Sequence, residues 1–230
     1  MKLSQRLETV AACVPRGSRV ADIGTDHGYV PIWLIEQGIA KYAIAMDVRK
    51  GPLMRAQEHI VQHKLEDRIE TRLSDGLLKL RPGEADTVVI AGMGGELMLR
   101  ILREGSHVWD SVARFVLSPQ SELEIFRRGL ESMGFSIEKE IMLREDGKYY
   151  TVLVAARGSM HYTEGFRYRY GDCLIREKSP VLLEYLEQER QKLLAIRKRL
   201  AAQDSQGARE RGLEVEEELG RIKEAYDAMQ

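Results

Sequence analysis

Short apolar segments alternate with amphipathic ones from residue 18 to residue 132, and this rhythm leaves few folds open. The apolar segments read as strands and are "RVADIG", "YAIAMDV", "RIETRLSD", "ADTVVIAG" and "RFVLSP". The other segments have the apolar spacing of helices and are "YVPIWLIEQG", "PLMRAQEHIVQH", "GELMLRILREG" and "SELEIFRRGLESMG". Because parallel neighbours need a crossover that is usually helical, the alternation predicts a parallel α/β sheet covered on both faces by helices.

The two ends of this region depart from the alternation. Leu3, Leu7, Val10 and Ala11 recur at helical spacing and predict a short N-terminal helix. At the other end, "FSIEKEIMLREDGKYYTVLVAARG" predicts two strands around an Asp-Gly turn, and therefore an antiparallel hairpin on the edge of the sheet. A Rossmann-like parallel sheet with an antiparallel last strand, in this order of elements, is typical of class I methyltransferases.

The character of the chain changes after residue 157. "HYTEGFRYRYGD" reads as a polar, aromatic connector, and Pro180 begins a long charged helix that "QDSQG" interrupts. Apolar residues at helical spacing in this helix and the next are Leu182, Leu186, Leu193, Ile196, Leu200, Leu213, Leu219, Ile222 and Tyr226. They predict an antiparallel, coiled-coil-like helical hairpin. We therefore expect two domains, residues 1–157 and residues 158–230.

Composition excludes several classes of protein. Charged residues make up 31% of the chain but the formal net charge is −1, which argues against a generally basic nucleic-acid coat while allowing a local basic face.

Cys13 and Cys173 lack C-x-x-C spacing, so we expect reduced thiols and a cytoplasmic protein. No apolar run approaches the roughly 18 residues of a membrane span. His59 and His63 lack a further ligand, so no metal is expected. Nothing indicates an oligomer, which leaves a monomer as the expectation.

Acidic residues follow the first predicted strand, where open parallel sheets bind their ligands. A dinucleotide loop would read G-x-G-x-x-G, but counting from Gly24 this chain has Asp26 and Tyr29 in place of the second and third glycines. A carboxylate there would repel a pyrophosphate. S-adenosylmethionine has no phosphates and carries an ammonium and a sulfonium, so Asp22 or Asp26 could engage its methionine end, with Gly24 and Gly28 giving the backbone room. A simple turn with Asp26 as helix N-cap is the alternative.

Three further segments end predicted strands. Asp47 is placed to accept hydrogen bonds from both ribose hydroxyls, although a solvated strand end would also carry an Asp. Asp75 could accept from an adenine amino group, or belong to an ordinary Asp-Gly turn. The glycines of "AGMGGE", residues 91–96, would allow close approach near the transferred methyl group, or serve only a turn. His27 could act as a base or pack in its loop.

Together, "DIGTDHGYVP", "MDV", "SDGL" and "VIAGMGG" closely resemble the bacterial tRNA adenine-22 N1-methyltransferase family (TrmK type) along the whole chain. The resemblance implies a catalytic domain that binds S-adenosylmethionine, a helical extension, and methyl transfer to N1 of an adenine in the D-arm region of tRNA. It implies cofactor-binding roles for Asp22, Gly24, Thr25, Asp26, His27, Gly28, Asp47, Val48, Asp75, Gly76 and Gly92. The catalytic candidates beside the target base are Asp26, His27, Gly92 and Met93. Gln120 stands where related enzymes often place an Asn-containing or Asp-containing acceptor motif, so the acceptor-binding residue stays open.

Adenine N1 carries an in-plane lone pair, so its methylation needs alignment rather than prior deprotonation. Asp26 is the first candidate to stabilise the positive charge that develops on the base, and His27 is the second. Because N1 is paired in a duplex, the substrate should be folded tRNA with an exposed or flipped base. Arg197, Lys198 and Arg199 would meet its phosphates, or form only a solvated helix face.

Other functions remain open at this stage. A class I methyltransferase acting on a small molecule or protein is one alternative, since the fold does not set the acceptor. A non-enzymatic nucleotide-binding or partner module is another. An NAD-dependent oxidoreductase is disfavoured by Asp26.

Overall fold

A seven-stranded mixed sheet occupies the centre of the first part of the chain in the computed structural model, which describes residues 1–203 and 205–230. The strands are β1 (Ser18–Ile23), β2 (Ala40–Asp47), β3 (Ile69–Leu73), β4 (Thr87–Ala91), β5 (Arg114–Ser118), β6 (Phe135–Glu145) and β7 (Lys148–Arg157). Their order across the sheet is β3-β2-β1-β4-β5-β7-β6. Strands β1 to β5 are parallel, and β7 is antiparallel to both β5 and β6. The predicted Rossmann-like sheet with an antiparallel last strand is confirmed.

The helices of this part begin and end close to the predicted segments. They are α1 (Gln5–Ala12), α2 (Tyr29–Glu36), α3 (Lys50–Gln62), α4 (Gly95–Glu104) and α5 (Leu123–Ser132), with a 3-10 helix at Ser106–Ser111. Helix α1 begins where the Ser4 hydroxyl accepts a hydrogen bond from the Leu7 N–H at 3.3 Å. Helix α2 is apolar on nearly every side, and its Ile32 and Leu34 are fully buried.

The pairing of β1 with its two neighbours positions the site. Asp22 lies opposite Ala45 of β2 on one side and Val89 of β4 on the other. From β1 the chain adds β2 and β3 on one side of the sheet, and it then adds β4 and β5 on the other side. The strand order therefore reverses between β1 and β4. The loops that follow β1 and β4 therefore leave the sheet side by side at its carboxyl edge, which is where ligands bind in open parallel sheets.

The hairpin of β6 and β7 turns at the predicted Asp-Gly pair. Asp146 and Gly147 have φ values of 49° and 76°, as a two-residue turn of this kind requires. Inside this edge of the sheet, Arg127 of α5 donates from Nε to Glu140 Oε1 of β6 at 2.8 Å, and both side chains are 1% exposed. The pair ties helix α5 to the outermost strand.

The chain divides into two compact units, Met1–His161 and Tyr162–Gln230. The predicted domain boundary after residue 157 stays a prediction. The second unit contains α6 (Gly165–Tyr170), α7 (Asp172–Arg176), α8 (Pro180–Leu200) and α9 (Gln206–Ala228). The connector predicted at residues 161–172 was wrong for residues 165–170, because Phe166, Tyr168 and Tyr170 are buried on a short helix rather than spread along a loop.

Helices α8 and α9 confirm the predicted pair of long helices. The break predicted at residues 203–207 includes Asp204, which lies outside the described residues. Leu213, one of the apolar residues at helical spacing, is 74% exposed. Four buried side chains recur every seven residues, namely Ala208, Val215 and Ile222 in α9 and Met229 directly after it, and Ala225 of α9 is buried as well. Leu213 points away from this row, whose heptad spacing is that of a two-helix seam.

Three sequence-based exclusions can be compared with the described part of the chain. Within residues 1–203 and 205–230, no helix combines the length and the apolar character needed to cross a bilayer. Among the same residues, no group of three or more His, Cys, Asp or Glu side chains is arranged to hold a metal ion. Cys13 and Cys173 are both buried and are not joined in a disulfide.

Candidate active site

The loop after β1 continues alongside β2 before α2 begins. The N–H groups of Gly24 and Thr25 both donate to the Met46 carbonyl, at 2.8 and 2.9 Å. Gly24 adopts a φ of 74°, and a Cβ at this position would lie 2.0 Å from the Met93 Cε. Only glycine takes this backbone conformation without strain. The loop after β1 and the loop after β4 therefore touch through the Met93 side chain.

Two buried carboxylates stand at the ends of β1 and β2. Asp22 is 7% exposed and Asp47 is 6% exposed. Burial raises the pKa of Asp22 to about 6, and the negative charge of Asp47 acts in the same direction. Asp47 Oδ1 accepts a hydrogen bond from the Arg49 N–H at 2.7 Å and lies 3.7 Å from Arg49 Nε. Asp22 and Asp47 therefore place carboxylate oxygens at the edge of the sheet, where they can accept hydrogen bonds from cationic groups or hydroxyls.

A cavity of about 440 Å³ opens above these strand ends. Of the predicted site residues, it is lined by Asp22, Gly24, Asp26, Asp47, Gly92 and Met93. Its other lining residues, to which the sequence analysis assigned no site role, are Arg6, Leu7, Tyr29, Val30, Arg49, Ala91 and Gln120. Arg6 and Leu7 belong to α1, and no motif in the sequence indicates that this helix reaches the site.

A second cavity of about 250 Å³ adjoins the first, and Gly24, Asp47, Arg49 and Met93 line both. The predicted residues that line only the second cavity are Val48, Asp75 and Gly76. Its remaining lining residues, which were not predicted, are Ile23, Ser74, Leu97, Arg100 and Ile101. Asp75 accepts two hydrogen bonds from the Arg100 guanidinium, at 3.2 and 3.3 Å. Its carboxylate is therefore oriented by α4, a contact that an Asp-Gly turn does not indicate.

The residues of the two cavities fit S-adenosylmethionine. The larger cavity offers the buried carboxylates Asp22 and Asp47 to an ammonium and to hydroxyl groups. The smaller cavity adds the apolar side chains Leu97 and Ile101 beside the carboxylate of Asp75, which suits a flat base with an amino group. Gly24 lines both cavities without a side chain, and its φ of 74° disfavours any residue that carries one.

Asp26 and His27, the two leading catalytic candidates, differ in their placement. Asp26 lines the larger cavity, but its side chain is 66% exposed and lies 3.2 Å from Arg55. His27 lines neither cavity. Its ring stacks on Tyr29 at 5.1 Å and on His59 at 5.4 Å, and His59 Nδ1 lies 2.9 Å from the His27 carbonyl. The arrangement favours loop packing for His27 and keeps Asp26 as the carboxylate beside the cavity.

Two further predicted residues also lie off the cavities. Thr25 is buried beneath the loop, at 2% exposure. Gly28 is the N-cap of α2, where its φ is 69°, and a Cβ there would contact Ala56 Cβ at 3.4 Å. Both residues shape the loop rather than border the open space. Gln120, whose role the sequence left open, lines the larger cavity, and its N–H donates to the Met93 carbonyl at 2.9 Å.

Comparison with known proteins gives relatives for both units. Residues 3–153 match a family of methyltransferase domains. The chain is 34% identical to the tRNA (adenine(22)-N(1))-methyltransferase of Bacillus subtilis (strain 168), over 99% of this chain and 98% of that protein. Sp1610 of Streptococcus pneumoniae, solved in complex with S-adenosyl-L-methionine, is similar with a TM-score of 0.86 and 35% identity, over 97% of this chain and 99% of that chain. M. capricolum TrmK, solved with S-adenosyl-homocysteine, has a TM-score of 0.85 and 26% identity over 100% of both chains.

Proposed function

The chain belongs to the tRNA (adenine(22)-N(1))-methyltransferase family, and from this premise we propose that it transfers a methyl group from S-adenosylmethionine to N1 of adenine 22 of tRNA. The observation that carries the proposal is a likeness that extends over 99% of the chain. A general methyltransferase domain accounts only for residues 3–153. The match to the Bacillus subtilis relative, which is named for tRNA, also covers the remaining helices.

The two cavities supply the cofactor-binding part of this function. When bound, S-adenosylmethionine supplies a methyl group on a sulfonium centre. Asp47 accepts hydrogen bonds from the ribose hydroxyls, and Asp22 attracts the ammonium of the methionine end. Asp75, held by Arg100, accepts from the adenine amino group while Leu97 and Val48 exclude water from the ring. These roles rest on cavity lining, burial and charge.

The acceptor side of the larger cavity is formed by Asp26, Gly92, Met93 and Gln120. Adenine N1 presents its lone pair without losing a proton, so these residues have only to align the base and exclude water. Asp26 stabilises the positive charge that the base acquires. Because Arg55 neutralises part of its charge and solvent reaches it, this stabilisation is modest.

The second unit contributes to tRNA binding. At the end of α8, Arg197, Lys198 and Arg199 are exposed, and Arg197 Nη1 lies 3.3 Å from Glu216 of α9. Exposed cations of this kind meet phosphates without reading sequence.

A cytoplasmic location, a monomeric state and the boundary after residue 157 belong to the proposal as well.

The experiment that tests the function uses two tRNA transcripts that differ only at nucleotide 22, one with adenine and one with guanine. The protein is incubated with labelled S-adenosylmethionine, and the digested nucleosides are separated. We expect N1-methyladenosine from the first transcript and no incorporation into the second. Equal incorporation into both would refute the position. Incorporation into neither, together with measurable binding of S-adenosylmethionine, would indicate a small-molecule or protein acceptor.

A further inference from the structure

Gln120 lies where the loops after β4 and β5 are joined by their backbones. Its N–H donates to the Met93 carbonyl at 2.9 Å. One residue later, the Ser121 carbonyl oxygen lies 2.8 Å from the point that a Cβ of Gly95 would occupy, so only glycine lets the two loops approach this closely. Both contacts restrain the backbone at Gln120, and its side chain therefore extends from a defined position.

The side-chain amide of Gln120 is exposed and lines the larger cavity. It makes no hydrogen bond to any group of residues 1–203 and 205–230. Its Nε2 lies 3.9 Å from the point that a Cβ of Gly92 would occupy, and the φ of 82° at Gly92 disfavours a larger residue there. The amide therefore keeps both its donor and its acceptor available to a molecule that enters the cavity.

The polar side chains of the larger cavity differ in charge. The buried carboxylates Asp22 and Asp47 suit the ammonium and the hydroxyl groups of the cofactor. Gln120 is neutral and lies with Met93 on the side of the cavity proposed for the acceptor base. Because the edge of a nucleobase carries neutral donors and acceptors, a neutral amide complements it without the cost of burying another charge.

We propose that the Gln120 side chain selects for the 6-amino group of the target adenine, with Oε1 accepting a hydrogen bond from that group. The inference rests on the proposed function for the identity of the acceptor. The 6-amino group is attached to the ring carbon next to N1, so a hydrogen bond to it also directs the N1 lone pair toward the methyl donor. A base without this amino group leaves Oε1 without a donor once the base has displaced water, and this slows methyl transfer.

Asp26 is the other side-chain acceptor on this side of the cavity. Its carboxylate lies 3.2 Å from the Arg55 guanidinium and its side chain is 66% exposed, so a cation and water compete for its oxygens. The Gln120 amide has no such competitor in the described part of the chain. The geometry therefore favours Gln120 for the neutral amino group and leaves Asp26 to the positive charge of the methylated ring.

The proposal predicts how discrimination between two bases changes. Two ligated tRNAs carry at nucleotide 22 either adenine or purine, which lacks the 6-amino group. Purine is also a weaker nucleophile at N1, so the informative quantity is the ratio of kcat/KM for the two tRNAs in each protein. We expect Gln120→Met to lower this ratio roughly tenfold, the effect of one hydrogen bond in a desolvated site. The loss should fall on the adenine tRNA, while the purine tRNA stays within about threefold.

The test compares the full-length wild-type protein with Gln120→Met, Gln120→Ala, Gln120→Glu and Gln62→Met. Gln120→Ala also removes the acceptor and should lower the ratio as Gln120→Met does, which keeps the test decisive if one of the two folds poorly. Gln120→Glu keeps an acceptor and should retain most of the wild-type ratio. Gln62 is exposed on α3 and lines neither site cavity, so Gln62→Met is the matched control and should leave the ratio unchanged. The Kd for S-adenosylmethionine, measured by calorimetry, should agree within about twofold in all five proteins.

Two results would overturn the role of Gln120. Equal slowing of both tRNAs in Gln120→Met and Gln120→Ala, with an unchanged ratio, would mean that the residue only shapes the cavity. Unchanged rates with both tRNAs would mean that another acceptor takes the amino group. Failure of the proposed function gives a different result, because a wild-type protein that binds S-adenosylmethionine but methylates neither tRNA would overturn both proposals together.

Discussion

At the scale of single residues, the buried carboxylate of Asp22 links stability to pH. Its pKa is raised to about 6, above its value in the unfolded chain. The stability that the neutral side chain contributes is therefore fully present below about pH 4 and is lost as the pH rises through about 6. We expect Asp22→Asn, which cannot ionise, to match the wild type near pH 4 and to exceed it at pH 8 by at most about 3 kcal/mol.

Urea unfolding without cofactor, followed from about pH 4 to pH 8, measures this difference. Asp67→Asn is the matched control, because Asp67 is exposed and lines neither cavity. The control should show no such growth of stability relative to the wild type. Parallel curves for Asp22→Asn and the wild type would show that Asp22 ionises freely in the folded protein.

Asp26 gives a second prediction at this scale. Its carboxylate lines the cavity but is shared with Arg55 at 3.2 Å. We expect Asp26→Asn to lower kcat about tenfold, less than the loss of a buried donor would, while the Kd for S-adenosylhomocysteine changes less than about twofold. Single-turnover methylation and calorimetry measure the two effects. A loss of cofactor affinity as large as the loss of rate would place Asp26 on the cofactor instead of the acceptor.

At the scale of elements, the buried ion pair that joins α5 to β6 makes the stability of the first unit sensitive to a single substitution. Arg127 and Glu140 are both 1% exposed, so removal of one leaves a buried charge. We expect Arg127→Met to destabilise the first unit by about 3–5 kcal/mol. Arg127→Met combined with Glu140→Leu should recover most of this loss, since apolar residues of similar size can replace a buried pair.

Urea unfolding of the single and double variants provides the measurement. The exposed pair Arg114–Glu138, whose closest atoms are 3.5 Å apart, serves as the control, and its removal should change stability by less than about 1 kcal/mol. A double variant of Arg127 and Glu140 no more stable than Arg127→Met would show that the pair supplies more than charge compensation.

The helical hairpin offers a comparison between two apolar residues of one helix. Val215 is 1% exposed and lies in the heptad row of α9, whereas Leu213 is 74% exposed. We expect Val215→Ala to destabilise the second unit by about 1–2 kcal/mol and Leu213→Ala to change it by less than about 0.5 kcal/mol. Hydrogen exchange of the amides of α8 and α9 reports this unit separately. Similar losses of protection for both variants would mean that Leu213 is covered in solution.

The same helix shows why sequence reasoning reached the elements but not every contact. The buried strands were predicted because short continuous apolar segments mark them, and the helices because apolar residues recur with a period near 3.6. Helical spacing alone did not separate the buried from the exposed apolar residues of α9, because small Ala208 lies in the buried heptad row and large Leu213 does not. Asp22 and Asp47 were found because each lies at the end of a predicted strand, and the carboxyl ends of parallel strands meet at one edge of the sheet. Arg6 was missed because its place depends on how a helix packs across the chain.

At the scale of the whole molecule, the net charge contributes little to tRNA binding, whereas local groups of cations can contribute much. A chain with formal net charge −1 has little overall attraction for a polyanion. Affinity for tRNA must then come from local groups of cations, and its dependence on salt counts the phosphates that they meet. The acidic side chains of α9, such as Glu216 beside Arg197, reduce the number of cations that are available.

Reversal of the three cations at the end of α8 tests this argument on the full-length protein. Replacement of Arg197, Lys198 and Arg199 by Glu should raise the KM for tRNA at least tenfold and lower the slope of log affinity against log salt by about two, since each phosphate contact contributes a slope of about 0.7–0.9. The Kd for S-adenosylmethionine should not change, because these residues line neither cavity. Reversal of the exposed Lys41, Lys79 and Lys148 changes net charge equally and should have a smaller effect. If both triple variants shift the salt dependence alike, tRNA responds to the total charge of the protein, and the end of α8 has no special part in binding.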